Sequence, residues 1–504
     1  MLFNSFSFLI FFPVVVCCYF ILPHRVRYLW LLVASYYFYM CWNPKYALLM
    51  ALSTAITYLS GLLIDRANRL RNKRKAAGLK KMWVALSFGS NLAILFFFKY
   101  FNFAVDNLNA LLSHFHMSMV VPGFDVILPV GISFYTFQAL SYTMDVYREE
   151  IPAERNPLKY ALFVSFFPQL VAGPIERSKN LLSQVSEYHP FDYDRVKQGL
   201  QLMLWGFFQK LVIADRAAIL VNQVYNHYND YGGFQLAIAT VLFAVQIYCD
   251  FSSYSDIAIG AAQVMGFRLM QNFRQPYFST SIAEFWRNWH ISLSTWFRDY
   301  LYIPLGGNRK GKARKYVNLL IVFLASGLWH GANWAFVVWG LLHGLYQVIG
   351  DMTRPLRMAV KHALHVREEA FSTWLYQVCI TFFLANIAWV FFRAASIPDC
   401  PSAVGAAFAI IRRMFTQWNP EVLFTPALYE MGLDQKNFQV LLLSLAVLLV
   451  VSILRRQGMP LRQSFNQQGI LLRWGVYFTA LFAVLIFGIY GPGYDASAFI
   501  YFQF

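Results

Sequence analysis

Charged side chains are scarce in this chain. Asp, Glu, Lys and Arg make up 13% of its 504 residues, about half the share found in an ordinary soluble domain. With 58% hydrophobic residues, that places the chain in the membrane class. Cysteine adds little. The six cysteines form no CxxC pair and lie mostly in apolar runs, so neither a disulfide framework nor zinc is implied. No HExxH pair occurs, which argues against a metal centre. No GxSxG elbow occurs either, so a serine nucleophile of the hydrolase type has no support. The loop GGNRKGK places Gly306, Gly311 and Lys312 in G-x-x-x-x-G-K spacing, but Ala313 follows. The hydroxyl that would hold magnesium is missing, and a phosphate-binding P-loop is rejected.

Acid is scarcer than base, leaving a net charge of +17. Most of the surplus sits in short loops between apolar runs, as the positive-inside rule requires, so no nucleic-acid partner is needed. The apolar runs recur along the whole chain. They predict an all-α polytopic membrane protein with roughly 11–13 transmembrane or re-entrant helices. Leu2–Leu22 lacks a basic n-region and a small-residue cleavage site, so it reads as a first crossing rather than a removable signal. Arg25 and Arg27 follow it, which predicts an external N-terminus. The basic loop Arg66–Lys81 comes two crossings later and falls inside as well. Arg455, Arg456, Arg462 and Arg473 are also expected inside. The tail Phe499–Phe504 (FIYFQF) would then face outward, where its aromatic residues could anchor a protein partner. The chain is expected to form one membrane domain, with N-terminal helices 1–122, a core 123–350 and C-terminal helices 351–504.

Polar groups inside this apolar background are the functional candidates. After Gln275, Ser281 and Glu284 form a capping box. Ile282, Phe285, Trp286, Trp289, Leu293, Trp296, Phe297 and Tyr300 then keep helical spacing as one apolar stripe, opposite Arg287, Ser294 and Arg298. Pro304 and Gly306–Gly307 end the pattern. Such a helix would lie along the membrane interface or dip into it. His290 falls at the edge of its stripe, and on spacing alone reads as an interfacial anchor. The cations Arg309, Lys310 and Lys312 that follow read first as a topogenic loop. They could also hold phosphates of a donor on the inner side. Asp250 and Asp256 lie beside apolar helices and are expected to cap helices or pair with Arg268, Arg287 or Arg298. FPQLVAGPIERS interrupts an apolar run with Gly173–Pro174. Irregular backbone at that depth must be covered by protein or line a cavity.

GLWHGANW, Gly327–Trp334, places His330 among small residues within a strongly apolar stretch. Trp329 and Trp334 bracket it. A buried imidazole is neutral, the form a general base needs. His343 lies too far along a straight helix to share an ion with it.

EFWRNWHISLSTWFRDYLYIPLGGNR, followed forty residues after His290 by GLWHGANW, resembles the membrane-bound O-acyltransferase family, most closely its bacterial polysaccharide-acetylating branch. GISFYTFQALSYTMDVYR, FFPQLVAGPIER and DFSSYSDIAIG are similar to the same branch. The resemblance is dense over Leu128–Leu345. It implies a ring of tilted helices around a buried reaction tunnel in a bacterial inner membrane. It also implies that His330 is the catalytic histidine and His290 the second histidine of the tunnel. The acyl donor, acetyl-CoA or another thioester, would enter from the cytosol, with no permanently bound cofactor. The acyl group would leave outside, often to a partner of the SGNH-hydrolase class. Chemically, transfer to a hydroxyl needs a base and donors for a developing oxyanion. Trp286, Trp329, Asn333 and Arg298 are candidates for lining or positioning. The alternative is a transporter or flippase, which would predict an internal repeat and paired broken helices; neither is visible in the sequence.

Overall fold

The computed structural model describes residues 1–117, 122–124, 128–490 and 499–500. Every regular element among them is a helix. Among the described residues six helices are long and apolar enough to cross a membrane: Pro44–Asn68, Lys73–His114, Gly233–Met265, Phe371–Ala394, Gln435–Arg456 and Ile470–Phe487. At 1.5 Å per residue the 33 residues of Gly233–Met265 rise about 50 Å, more than a bilayer core requires. Other apolar runs form shorter or interrupted helices. Phe6–Ile21 has 16 residues. The run Leu158–Val171 is split at Phe166 into Pro157–Ser165 and Phe167–Leu170. Leu200–Val221 contains a π turn at Phe208–Ala214.

The chain forms two compact units. The first comprises Met1–Met203 and Ile257–Met270. Here FPQLVAGPIERS is buried from Val171 to Ser178. Its backbone is covered by protein, as membrane depth demands. Glu176 accepts hydrogen bonds from the Met270 amide and from Asn180 Nδ2. Arg27 donates from Nη1 to the His189 carbonyl at 2.7 Å, which ties the helix His24–Met40 to the loop 185–192.

The second unit comprises Leu204–Asp256 and Gln271–Phe504. Its centre is the hairpin of Gly311–His330 and Trp334–Met352. The two helices cross where a Cβ on Gly327 would lie 2.3 Å from the Phe336 carbonyl oxygen, and one on Gly340 equally close to that of Phe323. Only glycine permits that approach. At the open end Lys315 Nζ pairs with Asp351 at 2.8 Å.

The same unit corrects the expected arginine partners of Asp250. The π turn carries Lys210 inward, where Nζ meets Asp250 at 2.6 Å and Asp215 at 2.8 Å. Arg268, Arg287 and Arg298 are exposed instead. Asp256 accepts from Gln209 Nε2 at 3.1 Å. The start of the C-terminal tail is likewise not a free external arm. The Phe499 ring packs on Tyr254 at 5.2 Å and beneath Lys210 Nζ at 5.6 Å, and the Ile500 amide donates to Asp250 Oδ2 at 2.7 Å. A buried ammonium attracts a ring face, and the second carboxylate oxygen needs a donor. Tyr501–Phe504 lie outside the described residues.

Candidate active site

The segment after Gln275 begins as its sequence predicts. Ser281 Oγ accepts from the Glu284 amide, while Glu284 reaches back to the amide and hydroxyl of Thr280. The single helix expected to continue to Tyr300 is broken, however. It becomes Ile282–Asn288 and Ile291–Phe297, with His290 between them at φ 42° and ψ 55°. A non-glycine residue in this left-handed region needs surrounding structure to hold it.

Asn272 supplies that hold. Its carbonyl accepts from the Ile291 amide at 2.9 Å. Its Oδ1 accepts from the Ser292 amide at 3.2 Å and from Ser292 Oγ at 2.9 Å. Arg274 adds a bond from its amide to the Asn288 carbonyl at 2.9 Å. These bonds replace the intrahelical ones lost at the break. They also determine a tautomer. A backbone amide can only donate, so the atom facing Ser292 is the amide oxygen of Asn272. His290 Nδ1 lies 3.2 Å from that same oxygen and therefore carries the proton. Nε2 keeps the lone pair. His290 is completely buried, so it is not the interfacial anchor that spacing alone implied. Its ring meets Phe251 edge-on at 4.5 Å.

His330 is the last residue of its helix and is 4% exposed. The Trp329 indole touches both histidines, at 5.0 Å from the His330 ring and 5.9 Å from that of His290. The structure thus brings together two side chains forty residues apart. Trp339 and Phe392 complete the wall around His330, at 4.9 Å and 5.3 Å. Trp286 joins through Trp339, at 5.6 Å.

The remaining candidates fall elsewhere. Arg298 does not line this centre: its side chain is 60% exposed and its Nε bonds Asp299 at 2.8 Å. It lies on the polar face opposite the apolar stripe, at the start of a π turn. Asn333 caps the helix Trp334–Met352, with Oδ1 accepting from the Ala335 amide at 2.8 Å. Arg309, Lys310 and Lys312 are exposed at the far end of the helix that carries His330, about 30 Å away at 1.5 Å per residue. Gly306, Gly307 and Gly311 in that loop all take positive φ.

Sequence reasoning missed Asn272, Trp339 and Phe392. Asn272 lay between motifs with no spacing signal. Trp339 follows His330 by nine residues across a helix break, and Phe392 comes from a later helix.

The comparisons with known proteins identify the family. The membrane-bound O-acyltransferase family profile matches residues 143–392, a stretch that contains every residue of the aromatic and imidazole cluster. The chain is 41% identical over 415 residues to the probable alginate O-acetylase of Pseudomonas putida, covering 81% of this chain and 80% of that protein. It is 37% identical to the peptidoglycan O-acetyltransferase of Helicobacter pylori, over 73% of this chain and 71% of that one. A teichoic acid D-alanyltransferase of Bacillus subtilis is 28% identical over 44% of this chain and 59% of its own. Six helices able to cross a bilayer, two buried histidines on one indole and this relatedness make the chain a multi-pass member of the membrane-bound O-acyltransferase family, an enzyme that uses an acyl donor as substrate.

Proposed function

We propose that the chain moves an acetyl group from a cytosolic thioester, acetyl-CoA, to an extracytoplasmic polysaccharide such as alginate, directly or through an SGNH-type partner. It would do so in the bacterial inner membrane, with its N-terminus outside. The observation that carries this reading is the pair of buried imidazoles sharing Trp329. His330 takes the proton of the attacking hydroxyl as the C–O bond forms. The C–S bond breaks and His330 returns that proton to the thiolate. His290, its Nδ1 proton held by Asn272, offers Nε2 to orient the hydroxyl. Trp286 and Trp329 exclude water that would otherwise hydrolyse the thioester. Arg309, Lys310 and Lys312 receive the phosphates of the donor. The core drawn at 123–350 needs the helix Phe371–Ala394 as well, because Phe392 closes the wall around His330.

Purified full-length protein should release CoA from labelled acetyl-CoA and pass the label to an oligosaccharide or partner. No acyl release from any thioester by folded protein would overturn the reading.

A further inference from the structure

The helices Gln435–Arg456 and Ile470–Phe487 bury little of themselves in protein: Leu441, Ser444 and Leu448 in the first, Val484 in the second. Both pack on the π turn Phe208–Ala214. Arg216 holds the ends remote from their connecting turn, donating from Nε to Asn437 Oδ1 at 3.1 Å and from Nη2 to the Phe487 carbonyl at 2.7 Å. Much of the remaining surface is apolar and exposed, as at Leu443 and Val450 on one helix and Leu471 and Leu472 on the other. In a bilayer such walls are covered by acyl chains, which are as apolar as leucine.

The connecting turn carries charge of one sign. Arg455, Arg456, Arg462 and Arg473 cluster there, and no Asp or Glu occurs from Gln435 to Phe487. Other basic connections bring carboxylates of their own: Lys315 pairs with Asp351 at 2.8 Å, Lys361 with Glu368 at 3.0 Å and Lys80 with Glu149 at 2.8 Å. Here Asp256 acts on Arg455 and Arg462, a single carboxylate beside four guanidiniums. Topology alone asks only for cations on one side of the membrane. It does not ask for guanidiniums laid on rings. Arg456 Cζ lies 4.2 Å from the centre of the Trp374 ring and 5.6 Å from that of Phe278. Arg455 Cζ lies 5.3 Å from that of Trp205. A guanidinium over a ring face keeps its in-plane N–H groups for an oxyanion. Arg456 and Arg462 are exposed and Arg455 and Arg473 half-buried, so an anion reaches them from the surface. Trp474, exposed beside Arg473, is the kind of side chain that sits at headgroup level.

We infer that Arg455, Arg456, Arg462 and Arg473 hold the phosphate of an anionic phospholipid, whose acyl chains lie against Gln435–Arg456 and Ile470–Phe487. Basic sites at the ends of membrane helices recognise lipid headgroups through this combination of charge and apolar wall. The lipid braces two helices that have little protein around them.

Full-length protein, stripped of lipid in detergent, is titrated with dioleoylphosphatidylglycerol or with zwitterionic dioleoylphosphatidylcholine. Native mass spectrometry counts the retained lipid, and thermal melting follows stability. The anionic lipid should bind at least about tenfold more tightly, a ratio that two or more cations at a headgroup supply, and should raise the melting temperature more. Arg456→Gln with Arg473→Gln should bring the preference close to one. Arg456→Lys with Arg473→Lys should keep part of it, because charge remains without the planar fork. Arg71→Gln with Lys73→Gln removes the same charge from a basic connection of the first unit and should leave the preference unchanged. If the Gln pair does not fold, Arg456→Gln alone and the Lys pair carry the test. Equal retention of the two lipids by the wild type would overturn the inference. So would a loss as large in the Arg71 and Lys73 control, which would reduce the effect to diffuse charge. Inorganic phosphate that stabilises as well as the anionic lipid would also overturn it, since the acyl chains would then contribute nothing. Lipid retention is read without acyl donor, so its failure leaves the acyl-transfer reading untouched.

Discussion

Two of the polar clusters buried in the second unit are treated in opposite ways. Around Lys210 an ammonium meets two carboxylates, and the remaining oxygen of Asp250 takes an amide from Ile500. Around His330 the ring neighbours are Trp329, Trp339 and Phe392. In the first cluster an ion-paired ammonium and a backbone donor hold two carboxylates and join three segments of chain. The second sets an imidazole against aromatic rings, the surrounding in which the proposed mechanism has a proton gained and lost. Both clusters are buried, so what separates them is the chemical nature of their walls.

Removing His330 breaks the comparison most severely. His330→Ala should lower acyl transfer by about 10²–10⁴-fold, the range for loss of a general base. Thermal melting in detergent should stay close to wild type, because the helix ends at that residue. Substantial transfer by this variant would remove the residue from the mechanism.

Lys210→Met attacks the other cluster. It strands Asp215 and Asp250 as buried carboxylates, which costs about 3–5 kcal/mol. Yield and melting temperature should fall, while turnover per folded molecule changes far less. Adding Asp215→Leu and Asp250→Asn should restore much of the stability. A triple variant as unstable as Lys210→Met would show that the charges matter for more than mutual compensation.

Asn272→Ala sharpens the contrast from inside the imidazole cluster. It frees the tautomer of His290 and removes three acceptor contacts at a left-handed residue. Turnover should fall about tenfold, the effect of one or two buried hydrogen bonds, with the Michaelis constant for donor unchanged. Asn272→Asp keeps the acceptor and should recover most of it. Equal losses in both variants would assign Asn272 a purely structural role.

These residues also show what was legible beforehand. His330 and the capping box of Ser281 could be read from short, local patterns. The apolar runs likewise foretold helices throughout. The break at His290 could not be read, because the stripe from Ile282 to Tyr300 is continuous in helical period. What interrupts it is Asn272, ten residues before the stripe begins, through backbone bonds that leave no periodic trace. The partner of Asp250 was misjudged for a related reason. A π turn shifts the facing of the side chains around it, so counting at 3.6 residues per turn loses Lys210. Arg298 is exposed, as its place opposite the apolar stripe predicts.

The smallest effect belongs to the loop Arg309–Lys312. Its cations are exposed, so each contact with a phosphate contributes at most about 1 kcal/mol and is weakened by salt. They also lie about 30 Å along the helix from His330, too far to act on the reacting atoms. Replacing Arg309, Lys310 and Lys312 with Gln should therefore raise the Michaelis constant for acetyl-CoA about three- to tenfold and leave kcat nearly constant. Adding salt should bring the wild type toward the variant. The control is a donor without phosphates. With the acetyl thioester of N-acetylcysteamine, wild type and variant should behave alike. If the variant is equally impaired with both donors, the loop serves folding or orientation. If neither donor is affected, its charge serves topology alone, and the phosphates of the donor are received elsewhere.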